Sequence, residues 1–377
     1  MLLMAGLCFF IRNRKKYRDI WLICERSAEA RDNGIWLFKY IMDNKLHDNA
    51  WYIIEKDAFD YDRVEKYSNR LITYNSFKHY MYYCLCAKAI STHLPLCAPS
   101  PVGGRRLKNI MPVKKSFIYL GHGLQKDGVE FLFKKNSKID LFIVNGINEY
   151  NDLITNAGYA ENEVVVTGGP RYDGLHDTVT NKEILIMPTN RTWFYDKNFN
   201  KQHEVFLSDP FFREYQGLLD DPAFNQMVDQ SGYKVLFYLH SRSQPFIDHF
   251  NTDNENIRIV NMEDMGVQEA LKRAALLVTD FSSVAFDFAY MGKPVLYFQF
   301  DYERFRKDQY SEGWFSYSDD GVGDIVDNRD SLIQKINELL KADCLMSDEY
   351  IKRTEKIYTY HDQDNCERVF NSIIDID

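Results

Sequence analysis

Short β-rich apolar runs alternate with longer runs at helical spacing along most of the 377 residues. This alternation predicts parallel α/β layers. In the first half, strands are expected at Ile20–Cys24, Trp51–Ile54, Arg70–Thr73, Lys88–Ser91, Ser116–Leu120, Leu141–Val144 and Glu163–Thr167. Helices are expected between them at Asn33–Met42, Phe77–Cys86 and Glu149–Ala157, with Asp32 as N-cap of the first. A polar run, Gly174–Lys182, opens a second series. Its strands are read at Ile184–Met187, Lys234–Leu239, Ile257–Val260, Leu276–Thr279 and Pro294–Phe300. Its helices are read at Phe211–Gln230, Gly266–Ala275, Ser283–Met291 and Ser331–Leu340, followed by a helical tail, Asp348–Ile374. The simplest assembly is two open α/β domains, 1–177 and 178–347, with a cleft between them and a tail, 348–377, returning to the first. Ligands in such sheets bind beyond the carboxyl ends of the strands, so the residues that follow strands are the ones to search.

Length and composition agree with a two-domain globular chain: 45% of residues are hydrophobic and 27% charged. A formal net charge of −9 gives no support to a nucleic-acid partner. Seven cysteines, an odd number with no C-x-x-C pair, point to a reducing compartment without a disulfide framework or zinc site. At the N-terminus, Leu2–Ile11 is apolar and Arg12, Arg14, Lys15 and Lys16 follow. Ten residues fall short of the ~20 that span a bilayer. Two readings stay open for residues 2–16: an interfacial anchor with a basic collar, or a first element packed on its domain.

Five segments after strands carry chemistry. In Thr279-Asp280-Phe281-Ser282-Ser283, unpaired N–H groups at a helix start and two hydroxyls suit a phosphate, although Asp280 or Ser282 as a simple cap explains the same residues. His122, between Gly121 and Gly123, is placed to take a proton from an attacking hydroxyl, or merely to occupy a turn. Arg171, in Gly168-Gly169-Pro170-Arg171-Tyr172-Asp173, suits a phosphate clamp at the hinge or an ion pair with Asp173. Arg191, in Pro188-Thr189-Asn190-Arg191, and His240, in Leu239-His240-Ser241-Arg242, set further cations at strand ends, where together with Ser282 and Ser283 they would make one positive pocket. The acidic pair Asp220-Asp221 sits in a helical run and reads as solvated. Neither it nor Asp319-Asp320 matches a metal motif, so no metal is expected. The P-loop and nucleophile-elbow signatures are absent.

In this order, Gly121-His122-Gly123, Gly169-Pro170-Arg171-Tyr172-Asp173, Pro188-Thr189-Asn190-Arg191 and Thr279-Asp280-Phe281-Ser282-Ser283 resemble the CDP-glycerol:glycerophosphotransferase family of teichoic-acid and capsule polymer transferases. Glu25-Arg26-Ser27-Ala28-Glu29-Ala30-Arg31-Asp32-Asn33-Gly34 looks like the signature of its capsule-associated members. The resemblance runs from Glu25 to Asp324. It implies a GT-B-like α/β fold of two Rossmann-like domains and metal-free, in-line, inverting chemistry. The donor would be CDP-glycerol or a related CDP-polyol, the acceptor a cell-surface polymer, lipid-linked or oligosaccharide, and the place the cytoplasm of a bacterium, with peripheral attachment at the inner face of the cell membrane as the further option.

On this resemblance His122 is the general base. Arg171, Arg191, His240, Thr279, Asp280, Ser282 and Ser283 surround the donor, and Asp287, Asp320 and Lys126 line the polyol or acceptor side. Two departures leave room for another polyol or acceptor. Leu124-Gln125-Lys126-Asp127 stands where the family often continues Thr-Pro, and His240-Ser241 stands where it often has His-Pro. A nucleotide-sugar glycosyltransferase and a non-catalytic subunit of a polymer-assembly complex are the rival readings.

Overall fold

A computed structural model of the chain describes residues 2–94, 99–104, 113–176, 178–195 and 199–376. It divides into two units: Met1–Gln125, Val129–His176 and Ile357–Asp377 form unit 1, and Lys126–Gly128 and Asp177–Lys356 form unit 2. Helix Asp348–Ile357 thus counts with unit 2 save for its last residue, and the chain from Ile357 counts with unit 1.

Among the described residues the strands in chain order are β1 (Ile20–Cys24), β2 (Ala50–Ile54), β3 (Leu71–Thr73), β4 (Cys86–Ser91), β5 (Ser116–Tyr119), β6 (Asp127–Gly128), β7 (Leu141–Val144), β8 (Val164–Val166), β9 (Glu183–Ile186), β10 (Lys234–Tyr238), β11 (Ile257–Val260), β12 (Leu276–Thr279), β13 (Val295–Phe298), β14 (Ser311–Glu312) and β15 (Gly323–Val326). Unit 1 is a seven-stranded sheet in the order β3-β2-β1-β4-β5-β7-β8, parallel throughout. Unit 2 is a six-stranded parallel sheet in the order β11-β10-β9-β12-β13-β15. It also holds the small antiparallel pair β14-β6.

The run Ile20-Trp21-Leu22-Ile23-Cys24 is apolar at every position because both faces of β1 are covered. Trp21 and Ile23 enter one core with Phe38 and Ile41 of helix Asn33–Asp43. Ile20, Leu22 and Cys24 enter the opposite core with Tyr82 and Leu85 of helix Phe77–Leu85. In unit 2, Ile184, Ile186, Leu276, Val278, Val235 and Phe237 fill one core with the phenylalanines of the segment 194–250.

The strand order reverses beside β1 in unit 1 and beside β9 in unit 2. At each reversal the connections leave in opposite directions, which opens a crevice at the carboxyl ends. The chain after β1, β4 and β5 therefore meets at one place in unit 1. The chain after β9, β10 and β12 meets at one place in unit 2.

Every strand expected from the pattern is present, with ends shifted by a residue or two. Three readings need correction. The expected helix Phe211–Gln230 is two helices, Pro210–Leu219 and Pro222–Ser231. Pro222 cannot continue the first, and Asp221 caps the second by accepting from Ala223 N at 2.8 Å and Phe224 N at 3.2 Å. Asp220 and Asp221 are thus helix-end groups at a break. The tail is likewise two helices, Asp348–Ile357 and Asn365–Ile374. Strand β15 went unread because Gly323-Asp324-Ile325-Val326 is short and half polar.

Residues Leu2–Ile11 form a helix whose Cys8 and Ile11 pack into the core beside Tyr82 and Tyr83. Phe9 and Phe10 face outward, Phe10 with 82% of its surface exposed. No helix among the described residues is long and apolar enough to cross a membrane. Cys8, Cys24, Cys84, Cys86, Cys344 and Cys366 are buried free thiols, and Cys97 lies outside the described residues.

Candidate active site

The turn after β1 is built around one carboxylate. Glu25 is fully buried and accepts from the backbone N–H groups of Arg31 (2.8 Å), Asp32 (3.0 Å) and Ile35 (2.8 Å). A side chain at Gly34 would bring its Cβ to 2.9 Å from Glu25 Cγ and 3.2 Å from the Cys24 carbonyl oxygen, so only glycine fits. This clamp presents Asp32 and Asn33 to two other turns.

Asp32 caps its helix, as expected, by accepting from Asn33 N at 2.8 Å. It also takes up two roles that the sequence did not show. One oxygen accepts a short hydrogen bond from His122 Nδ1, and the other accepts from Arg171 Nη1 at 2.8 Å. Asn33 completes the grip. Its Nδ2 donates to the carbonyls of Leu120 (3.1 Å) and Gly121 (3.0 Å), and its Oδ1 accepts from Arg171 N at 2.9 Å. Gly121, at φ +71°, supplies the left-handed residue that turns His122 out of β5. The His93 ring, at the end of β4, lies 4.5 Å from that of His122.

His122 is the outward member of this group, with 47% of its side chain exposed while Asp32 and Arg171 are buried. An Nδ1–H bond to a carboxylate fixes the tautomer and leaves the lone pair on Nε2, the arrangement of a general base. Burial opposes ionisation of Asp32, but the neighbouring charges of His122 and Arg171 hold its carboxyl well below the usual carboxylate range. Glu25 goes the other way: burial first, and the charge of Asp32 second, push it up to about 8. The alternative ion pair between Arg171 and Asp173 is not formed. Asp173 instead accepts from Asn365 N (2.9 Å) and Cys366 N (2.9 Å), which fastens the last helix to this turn.

In unit 2 the residues after β9, β10 and β12 do converge, but their charges are used differently. Arg191 has no exposed surface. Its guanidinium donates to Asp280 at 2.7 Å, to Asp301 at 2.8 and 2.9 Å, and to the Thr189 carbonyl at 2.7 Å. Phe211, Phe281 and Phe305 lie 5.0–5.2 Å from it. Burial opposes its charge, yet Asp280 and Asp301 hold it firmly protonated. Asp280 also accepts from Thr189 N at 2.8 Å and Phe281 N at 2.6 Å. Thr279 donates its hydroxyl to the Met187 carbonyl at 2.7 Å. Arg191, Asp280 and Thr279 thus form an internal strut that binds the turn after β9 to the turn after β12.

Ser282 and Ser283 stand at the outer edge of that strut, both partly exposed, before helix Val284–Tyr290. Ser282 Oγ lies 3.4 Å from Val284 N, a long contact for a cap. His240 caps the turn after β10 by accepting from Arg242 N at 3.1 Å. Asn190 ties the two turns together, since its Oδ1 accepts from Ser243 at 3.0 Å and from Tyr195. Asp287 is buried on the short helix. Asp320 closes its own loop by accepting from Ser316 N at 2.9 Å, which makes it a loop brace. Lys126 is buried beside Asp127, and burial pulls its ammonium below the usual lysine range. Among the described residues no group of three or more His, Cys, Asp or Glu side chains is placed to hold a metal ion.

A family model described as CDP-Glycerol:Poly(glycerophosphate) glycerophosphotransferase matches residues 7–375. The chain belongs to this family. It is 32% identical to the minor teichoic acid biosynthesis protein GgaB of Bacillus subtilis (strain 168), over 98% of this chain and 41% of that protein. It is 22% identical to the teichoic acid poly(glycerol phosphate) polymerase of the same strain, over 95% of this chain and 51% of that protein. The chain therefore spans about half or less of the length of these two relatives. A structure of the wall teichoic acid polymerase TagF soaked with CDPG superposes with a TM-score of 0.69 at 13% identity, covering 99% of this chain and 92% of that one. The fold is accordingly the GT-B-like α/β kind.

Sequence reasoning missed Glu25 and Asn33 as site builders, and saw Asp32 only as a cap. The signal was the stretch Glu25–Gly34, noticed for its resemblance alone. Asp301 and His93 gave no local sign, since each meets its partner only through the fold.

Proposed function

We propose that this chain moves a polyol phosphate, glycerol phosphate first, from a CDP-activated donor to a hydroxyl of a cell-surface polymer and releases CMP. The observation that carries the reading is the His122–Asp32 pair, with Nδ1 fixed on a buried carboxylate and about half of the His122 side chain exposed. Family membership supplies the donor class.

The acceptor hydroxyl gives its proton to His122 Nε2. Its oxygen bonds to the β-phosphorus of the donor, and the bond from that phosphorus to the bridging oxygen breaks, leaving CMP. Positioned hydrogen bonds and cations stabilise the charge on the transferring group. Ser282, Ser283 and His240 hold the pyrophosphate. Arg191, Asp280 and Thr279 act from behind as the strut that places those groups, and Arg171 acts through Asp32 as a positioning residue for His122. Asp287, Asp320 and Lys126 belong to the polyol side. Exposed Phe9 and Phe10 beside Arg12, Arg14, Lys15 and Lys16 support contact of the N-terminal helix with an anionic membrane surface.

The test is a donor panel of CDP-glycerol, CDP-ribitol and UDP-sugars, offered with a glycerol phosphate oligomer and read by released nucleotide. CMP from a CDP-polyol supports the reading. UDP from a nucleotide sugar, with no CMP, replaces it with a glycosyltransferase.

A further inference from the structure

Unit 2 holds a polar cluster in which the proposed step gives a place to Lys126 alone. Lys126 has 3% of its side chain exposed, and among the described residues its Nζ donates to Asp127 alone. Arg306 Nη1 donates to the other Asp127 oxygen at 2.6 Å. The two cations therefore share one carboxylate. Arg306 Nε and the Tyr317 hydroxyl are buried with no hydrogen-bond partner among the described residues. Buried donors of this kind are normally paired, and each one left alone needs a reason.

The neighbours restrict what that reason is. The Tyr317 ring lies 5.2 Å from Lys126 Nζ and 5.6 Å from the Arg306 guanidinium. Phe281 stacks on Phe305 at 3.9 Å and lies 6.1 Å from both Tyr302 and Tyr317. In the chain Phe281 sits between Asp280 of the strut and Ser282. The cluster therefore lies directly beside the turn that holds Ser282 and Ser283. The carboxylates nearest to it are already engaged, Asp127 by Lys126 and Arg306, and Asp280 by Arg191. The cluster's two unpaired atoms are donors, one of them on the cationic Arg306 and both close to the Lys126 ammonium, which is the chemistry that receives a phosphoryl oxygen. Strand β14 pairs with Asp127–Gly128, next to Lys126, with only two residues a side, a pair short enough to open for a ligand.

We propose that Lys126, Arg306 and Tyr317 form a phosphoryl subsite beside the Phe281 turn. It rests on the transferase reading for its ligands. The phosphoryl group comes either from the polyol end of the donor or from a phosphodiester of the acceptor polymer. The residues are unassigned by the family resemblance except for Lys126, which it places only on the polyol or acceptor side.

The experiment uses the full chain and the variants Tyr317→Phe and Arg306→Lys, which keep the ring and the Asp127 ion pair. Calorimetric titrations with CMP, CDP-glycerol, glycerol 3-phosphate and a glycerol phosphate oligomer give four affinities. A hydrogen bond lost to a charged group corresponds to roughly tenfold or more in affinity. The expected result is unchanged CMP binding with about tenfold weaker CDP-glycerol binding if the subsite serves the donor, or about tenfold weaker oligomer binding if it serves the acceptor. Wild-type affinities in Tyr317→Phe for CDP-glycerol, glycerol 3-phosphate and oligomer alike overturn the subsite, as does an equal loss for CMP. If the wild-type chain neither binds CDP-glycerol nor releases CMP from it, the transferase reading fails. Glycerol 3-phosphate binding by wild type, lost in Tyr317→Phe, then still supports the subsite, and its absence overturns it.

Discussion

The two units use buried charge in opposite ways. In unit 1, Glu25, Asp32 and Arg171 are buried so that His122 is held half exposed with its Nδ1 fixed. In unit 2, Arg191, Asp280 and Asp301 are buried against one another, the guanidinium held between two carboxylates. The first arrangement orients a reactive group. The second shapes the turn that carries Ser282 and Ser283, the hydroxyls proposed to meet the donor. A cation at a strand end is therefore a poor guide to ligand contact until its carboxylates are found.

The largest expected effect separates the two uses of charge. Asp32→Asn keeps the size and the cap but gives His122 Nδ1 a mixed partner, so turnover is expected to fall about 10³–10⁴-fold with donor affinity intact. The measurement is CMP release beside calorimetric donor binding, and comparable activity in the variant would break the comparison.

The next effect belongs to stability. Arg191→Met strands Asp280 and Asp301 in the interior, and breaking a buried pair in this way costs about 3–5 kcal/mol. Urea unfolding reads it. A variant as stable as wild type would show that the strut is not needed to hold the turn.

A third test uses pH. Glu25 has an ordinary value of 4.5 and is pushed up to about 8 in the fold. The folded state then binds more protons than the unfolded one between those values, so its contribution to stability is full below about 4.5 and is lost as pH rises to about 8. The loss amounts to a few kcal/mol. Glu25→Gln should flatten the fall of Tm between pH 5 and pH 8. Glu149, pushed up to about 7 by burial, keeps a smaller slope in the variant.

The smallest effect falls on the rim. Ser282→Ala with Ser283→Ala should raise KM for the donor roughly tenfold while leaving Tm within a degree or two, since neither hydroxyl supports the core. An unchanged KM would remove the pyrophosphate from this turn.

Much of the fold was legible because strands buried on both faces are continuous apolar runs bounded by turn residues, as in Ile20–Cys24 and Leu276–Thr279. The break at Pro222 was legible too and was overridden by helical spacing on either side. The position of His122 showed itself locally, through its two glycines. Its partner did not, because Asp32 lies 90 residues earlier and only the sheet order β1-β4-β5 brings the two together. The same holds for Arg191, whose partner Asp301 is 110 residues away. Residue type announces that a charge is present, but only topology says whether it faces substrate or another charge.

The central claim is that His122 acts as a base rather than as a binding group. The most direct measurement compares His122→Ala with wild type for CDP-glycerol affinity by calorimetry and for CMP release in the presence of acceptor. The account predicts an affinity within about twofold of wild type and no detectable turnover. Loss of affinity in step with turnover, or turnover that survives the substitution, would contradict it.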